Sequence, residues 1–222
     1  MAKQLVFILG AGGHAKMVIE ALVSMHQYEL YGCLDTDRTA ERLLGFPVMQ
    51  ENPQILGTLL EAKAQAVVAL GENRLRMRVT NDLEAQGFSF ATAIASSAYV
   101  SASAQIGAGS VIMPKAVVGA AVRVGRGVIV NTSSSIDHDC VVEDFAHVAP
   151  GCHLAGNVTV QQGAMLGIGT CVIPECTIGK WSILGANSTV IEDVPLESTY
   201  VGTPAKALKA GKLKAGKERK GH

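Results

Sequence analysis

The chain has 222 residues, with 19 Lys and Arg against 19 Asp and Glu, so no overall field draws it to nucleic acid or to an acidic partner. Met1-Ala2-Lys3-Gln4 runs straight into an apolar strand without the pattern of a signal peptide, and no apolar run is long enough to span a bilayer. Five cysteines without metal-type spacing fit reduced thiols better than a disulfide framework; the expectation is a cytoplasmic protein with no nucleic-acid partner and no membrane insertion.

In chain order, Gln4–Leu9 reads as an apolar strand. It feeds Gly10-Ala11-Gly12-Gly13-His14-Ala15, which matches GxGxxA, and then a helical stretch to about Met25. Leu30–Leu34 reads as a second strand ending at Asp35, and Ala64–Leu70 as a third, ending at Gly71-Glu72-Asn73. A helix to about Gln86 and a strand near Phe88–Ala93 follow. Strand, glycine loop, helix and strand make a nucleotide-binding layout, in which helix N–H groups are free to meet phosphate. Residues 1–93 amount to an α/β half-Rossmann domain. A nicotinamide site usually needs both halves, so the expected ligand is a nucleotide that forms part of the substrate.

From Ile94 onward every sixth residue to Val190 is Ile, Leu or Val, without a break. Four residues after each step sits a small or β-branched residue, among them Cys140, Cys152 and Cys176. A large aliphatic pointing inward from each short strand, with a small residue near each corner, gives a triangular coil of roughly 18 residues. Residues 94–194 are therefore read as an all-β parallel β-helix of hexapeptide repeats whose coils share one core. The three cysteines are read as packing residues rather than nucleophiles. Gly107, Gly119, Gly125, Gly167, Gly179 and Gly185, just after the aliphatic, are expected where the chain turns. The repeat carries no insertion, so a pocket needs a second surface.

Asn131-Thr132-Ser133-Ser134-Ser135-Ile136-Asp137-His138-Asp139 is the polar cluster of the repeat. His138 stands two residues past the inward Ile136 and should face out, between two aspartates. One coil later, Gly156 should lie beside it. An imidazole base next to an exposed N–H is the minimum equipment for acyl transfer: one accepts the nucleophile's proton and the other holds the oxyanion.

These stretches resemble the bacterial nucleotide-sugar N-acetyltransferases that modify 4-amino-4,6-dideoxy sugars, and their relatives, the sialic acid O-acetyltransferases. The likeness covers nearly the whole chain: Gly10–His14, Leu34-Asp35, Gly71–Asn73, Asn131–Cys140, Ala155-Gly156-Asn157 and Val201–Lys206. It implies a left-handed β-helix, acetyl-CoA as co-substrate, no metal, and a homotrimer with active sites between subunits. It also implies catalytic roles for His138 as general base and Asp139 as its tuner. Gly156 would offer its N–H to the thioester oxygen, while His147 and Ile168 would touch the CoA pantetheine. Gly12, Gly13, His14, Asp35, Gly71 and Asn73 would hold the nucleotide sugar, with Asp37 the weaker half of an interrupted acidic pair.

O-acetylation of a sialic acid is the alternative within transferases. A zinc lyase would need His138, His147 and His153 to converge, but His147 and His153 are one hexapeptide apart and fall on adjacent faces. A non-catalytic nucleotide-sugar sensor is the third reading. In residues 195–222, the stretch from Lys206 to Lys220 carries six Lys and one Arg against one Glu, either a solvated tail or a contact for phosphate.

Overall fold

The computed structural model describes residues 3–37 and 40–208. Most of the basic tail lies outside the described residues. The N-terminal part runs β1 (Gln4–Leu9), α1 (Gly13–Met25), β2 (Tyr28–Asp35), β3 (Arg42–Leu43), β4 (Phe46–Gln50), α2 (Pro53–Glu61), β5 (Gln65–Val68) and α3 (Asn73–Ala85). Its sheet has the order β3-β4-β2-β1-β5, parallel except for β3. Strand alternation assigns the two faces. Val6 and Ile8 point toward Val18, Ile19 and Leu22 of α1, while Phe7 and Leu9 point toward Leu56 and Leu59 of α2 and Leu83 of α3.

Two expectations change in this domain. β3, β4 and α2 lie in a stretch with no expected elements. Asn52 caps α2 by accepting the Ile55 N–H at 2.9 Å, with Pro53 in the first turn, where its missing N–H costs nothing. The strand expected near Phe88–Ala93 is reduced to a single bridge between Phe90 and Ala66. The chain leaves the sheet there because Ala93–Ile94 must pair with Val111–Ile112 as the first rung of the β-helix.

The β-helix follows the six-residue period throughout. Each rung is two residues long, and the second is the inward aliphatic. Rungs stack in parallel at an 18-residue offset, as in Ser135↔His153 and Ile136↔Leu154. The first face runs from Ala93–Ile94 through His147–Val148 to Ile183–Leu184, the second from Tyr99–Val100 through His153–Leu154 to Thr189–Val190, and the third from Gln105–Ile106 to Thr177–Ile178. His147 and His153 stand on different faces, as the spacing requires.

Cys140, Cys152 and Cys176 are buried in the small slot. Polar occupants of that slot bond to corner carbonyls: Ser134 Oγ to Asn131 O and Thr170 Oγ1 to Gly167 O, both at 2.7 Å.

The turn residue is displaced from expectation. The left-handed position falls three residues after the aliphatic, at Ser133, Asp139, Phe145, Asn157 and their equivalents, with φ between 54° and 72°. At all four named residues the N–H reaches back to a carbonyl of the preceding coil, as in Asp139 to Ala120 at 3.0 Å. That bond offsets the roughly 1–2 kcal/mol a non-glycine residue loses there. Glycine just after the aliphatic has another cause. A Cβ on Gly107 would lie 2.5 Å from the carbonyl carbon of Gly125, so glycine lets successive coils approach closely.

The N-terminal domain sits on the first face. Val111, Met113 and Ile129 share a core with α1 and β1, while Ile183 further along that face is 48% exposed. Burying Val111 and Ile129 stabilises the seam by about 1.5–3 kcal/mol each. Arg126, on the β-helix, pairs back to α3 through Glu84 at 2.7 Å and Asn81 at 2.8 Å.

Candidate active site

His138 occupies the turn after the rung Ser135–Ile136 and is 55% exposed. Its backbone N–H donates to Asp137 Oδ1 at 2.8 Å, which fixes the turn. The left-handed backbone of Asp139 swings its carboxylate back, and Oδ2 lies 2.8 Å from His138 Nδ1. A carboxylate there requires the proton on Nδ1, so the lone pair resides on Nε2. The Asp139 hydrogen bond raises the His138 pKa above its ordinary 6.5; desolvation opposes the rise, and the charges of Asp137 and Asp139 add to it.

Gly156 lies where the 18-residue step puts it. A Cβ on Gly156 would stand 2.5 Å from His138 Cε1 and 2.6 Å from Nε2, so only glycine leaves the imidazole in place. Asn157 donates its N–H to the His138 carbonyl at 3.0 Å and locks the two turns together. Among the described residues the Gly156 N–H has no protein acceptor. A basic nitrogen and a free amide donor therefore share one corner.

The glycine loop forms a second locus. α1 begins at Gly12 with no side-chain cap and no acidic residue in its first turn. A Cβ on Gly12, Gly13 or Gly71 would meet nothing within 4 Å, which leaves the helix N-terminus open to an anion. Asp35 stands beside the glycine loop, half-buried. Its carboxylate accepts the Ala11 N–H at 2.7 Å and the Asp37 N–H at 3.0 Å, so it shapes the loop from behind.

Asn73, expected to face the nucleotide sugar, is buried at the domain seam. Its amide nitrogen donates to the carbonyls of Gly163 at 3.1 Å and Ala164 at 3.3 Å, and its Oδ1 accepts from Arg76 at 2.9 Å. His147 is at the same seam and only 8% exposed, with Nε2 3.1 Å from the Asn131 amide. Burial first, then the charges of Arg76 and His14, push its pKa down to about 3, with only the Gly71 backbone pulling the other way. Burial, then Arg76, lowers His14 to about 4. His14 Nε2 and His147 Nδ1 are buried without a hydrogen-bond partner among the described residues. Ile168 is 60% exposed at the corner between the first and second faces. A cavity of about 290 Å³ continues the seam, lined by Gly71, Asn73, Arg74, Met165, Trp181 and Ile183, with the Arg74 guanidinium 4.2 Å from the centre of the Trp181 ring.

The expected residues thus fall into two groups, with Ile168 apart from both. His138, Asp139 and Gly156 meet at the corner between the second and third faces. The glycine loop, His14, Gly71, Asn73 and His147 gather on the first face, where Arg76 joins them. Nothing in the sequence marked Arg76: within Asn73-Arg74-Leu75-Arg76 it has the look of one solvated arginine among several.

Residues 5–83 match the family model described as the PglD N-terminal domain. A point mutant of perosamine N-acetyltransferase from Caulobacter crescentus, solved with CoA and GDP-perosamine, is 36% identical; the match covers 94% of this chain and 98% of that one, with a TM-score of 0.87. The acetyltransferase domain of PglB from Neisseria gonorrhoeae FA1090, solved with acetyl coenzyme A, is 39% identical over 93% of this chain and 100% of that one, with a TM-score of 0.88. GDP-perosamine N-acetyltransferase from Escherichia coli O157:H7 is 27% identical over 91% of this chain and 95% of its own length.

Proposed function

The chain belongs to the bacterial nucleotide-sugar N-acetyltransferases, built on a left-handed β-helix, and from that premise we propose that it acetylates the 4-amino group of a nucleotide-linked 4-amino-4,6-dideoxy sugar, with GDP-perosamine the first candidate and acetyl-CoA the donor. The observation that carries the mechanism is the contact between the His138 imidazole and the empty side-chain position of Gly156.

The neutral sugar amine attacks the thioester carbonyl and forms the C–N bond. His138 Nε2 takes the amine proton as the tetrahedral centre forms, while Asp139 stabilises the resulting imidazolium. The Gly156 N–H donates to the oxyanion. Collapse breaks the C–S bond and releases CoA thiolate, to which the imidazolium returns the proton. No covalent enzyme intermediate is needed. Burial raises the thiol pKa of Cys140 and Cys176, and that of Cys152 to about 11, which suits packing rather than attack.

Gly12, Gly13, His14 and Gly71 would receive the nucleotide sugar, with Asp35 and Asn73 shaping the receptor from behind. His147, Ile168 and the Met165–Ile183 strip suit the pantetheine arm. Because the base corner and the glycine loop sit on different faces of one coil, a neighbouring copy would bring them together, which favours a homotrimer with sites between subunits. Among the described residues no helix is long and apolar enough to cross a membrane, and all five cysteines are unpaired, which supports a cytoplasmic location.

The test is thiol release from acetyl-CoA against GDP-, UDP- and dTDP-linked 4-amino sugars and free sialic acid. Release with a nucleotide-linked amino sugar is expected. Release with sialic acid alone would reassign the chain to O-acetylation, and tight sugar binding without release would make it a sensor.

A further inference from the structure

Among the described residues Arg76 is the largest fully buried side chain, 1% exposed, and the proposed reaction does not use it. Its Nε donates to Gly127 O at 2.8 Å, Nη1 to Leu70 O at 3.0 Å, and Nη2 to Phe145 O at 2.8 Å and Asn73 Oδ1 at 2.9 Å. Gly71 O and Ala146 O lie further out, both at 3.4 Å. Leu70 and Gly71 follow β5 and carry the loop beside the glycine motif, whereas Gly127, Phe145 and Ala146 belong to coils of the β-helix. One planar fork therefore bonds carbonyls of both domains. Among the described residues Arg76 makes no ion pair, so the charge is held by carbonyl dipoles. Burial lowers its pKa to about 10, with Glu72 opposing, so it stays positive at neutral pH. An apolar side chain would fill the space without that desolvation.

We propose that Arg76 is the positioning residue of the domain seam: its fork sets the glycine loop against the β-helix and so fixes the seam, with His14 and His147 buried in it, against which the substrates bind. Three observations converge. The guanidinium spans the two domains, its charge acts on both histidines, and each ring keeps one buried nitrogen without a hydrogen-bond partner among the described residues. His14 faces Arg76; His147 faces Arg76, His14, the Asn131 amide and the Gly71 backbone. No carboxylate stands among these neighbours, so burial, reinforced by the cation, keeps both rings neutral. Lysine has the charge without the fork, and glutamine has donors without the charge.

This inference rests on the substrate reading above. Ring-nitrogen NMR of the unliganded protein should show His14 and His147 neutral at pH 7. Arg76→Lys should leave both neutral while the KM for GDP-perosamine rises at least tenfold and kcat stays within threefold. Arg76→Gln should move the titrations of both rings upward. A purely structural arginine would lower Tm in both variants and leave, well below Tm, the KM and the ring titrations as in the wild type; that result overturns the proposal. If neither variant folds, titrating the wild type with GDP-perosamine and CoA decides: both ring signals must shift, and either one unmoved overturns it. If no sugar is acetylated, the substrate reading fails, while the unliganded ring spectra still report whether Arg76 holds the histidines neutral.

Discussion

Two histidine environments divide the molecule. At the open corner His138 is half exposed, paired with a carboxylate and more basic than free imidazole. At the closed seam His147 is buried beside a cation and far less basic, with His14 next to it. The same side chain can move a proton in one setting and cannot at neutral pH in the other. What differs is the nearest charge and the access of water, both set by which face of the coil the residue stands on. The corner is equipped for proton transfer and the seam for recognition.

The sharpest break of that contrast is His138→Ala. Removing the imidazole base at the corner should lower kcat by roughly 10²–10⁴-fold with acetyl-CoA and the accepted sugar. A variant with near-wild-type kcat would move the chemistry elsewhere, with the seam the first place to look. Gly156→Ala is next. The added methyl keeps the N–H but drives the imidazole aside, and a displacement of about 1 Å costs on the order of 100-fold; unchanged kcat would mean that the base and the donor do not act together.

Asp139→Asn sharpens the comparison instead. The base works only when neutral, so wild-type kcat/KM should fall as pH drops through a value above 6.5. Without the carboxylate that acid limb should move down toward about 6.5, measured as a full pH profile. An unmoved limb would mean that Asp139 does not tune the base.

The smallest effect concerns stability. The folded-state pKa of His147 is depressed to about 3, so between pH 6.5 and 3 the unfolded chain takes up a proton that the folded chain refuses. The stability present above pH 6.5 is therefore lost as pH falls, by at most about 1.4 kcal/mol per pH unit. His147→Gln should reduce that slope in urea unfolding and leave the share of His14, whose pKa is lowered to about 4; an equal slope would mean that the His147 ring is not buried neutral.

The sequence shows these regions unequally. The β-helix is legible because one constraint, an inward aliphatic, repeats at every turn, so errors at single positions do not accumulate. The same period is enough to place Gly156 beside His138. It does not identify the left-handed turn position, because backbone bonds between coils let Ser, Asp, Phe and Asn share it with glycine. In the N-terminal domain nothing repeats. β3 and β4 are short and flank Gly45, with Pro47 inside β4, so local composition reads as loop, and α2 is announced only by Asn52-Pro53. Arg76 and the reassigned Asn73 are out of reach for a further reason. Their partners on the β-helix lie between 51 and 91 residues away, on a surface that exists only after both domains fold.

The offset between stacked rungs has one more consequence. Packing of the β-helix obeys a period of six, but the neighbourhood of His138 and Gly156 obeys a period of eighteen. Losing one hexapeptide between them would leave every aliphatic facing inward and rotate the donor onto another face, away from the base. Losing or gaining a whole coil elsewhere along the stack would leave their relation untouched. The scaffold thus tolerates three times as many length changes as the catalyst does, so a chain of this kind can keep its fold while its chemistry is erased by a shift too regular to disturb the core.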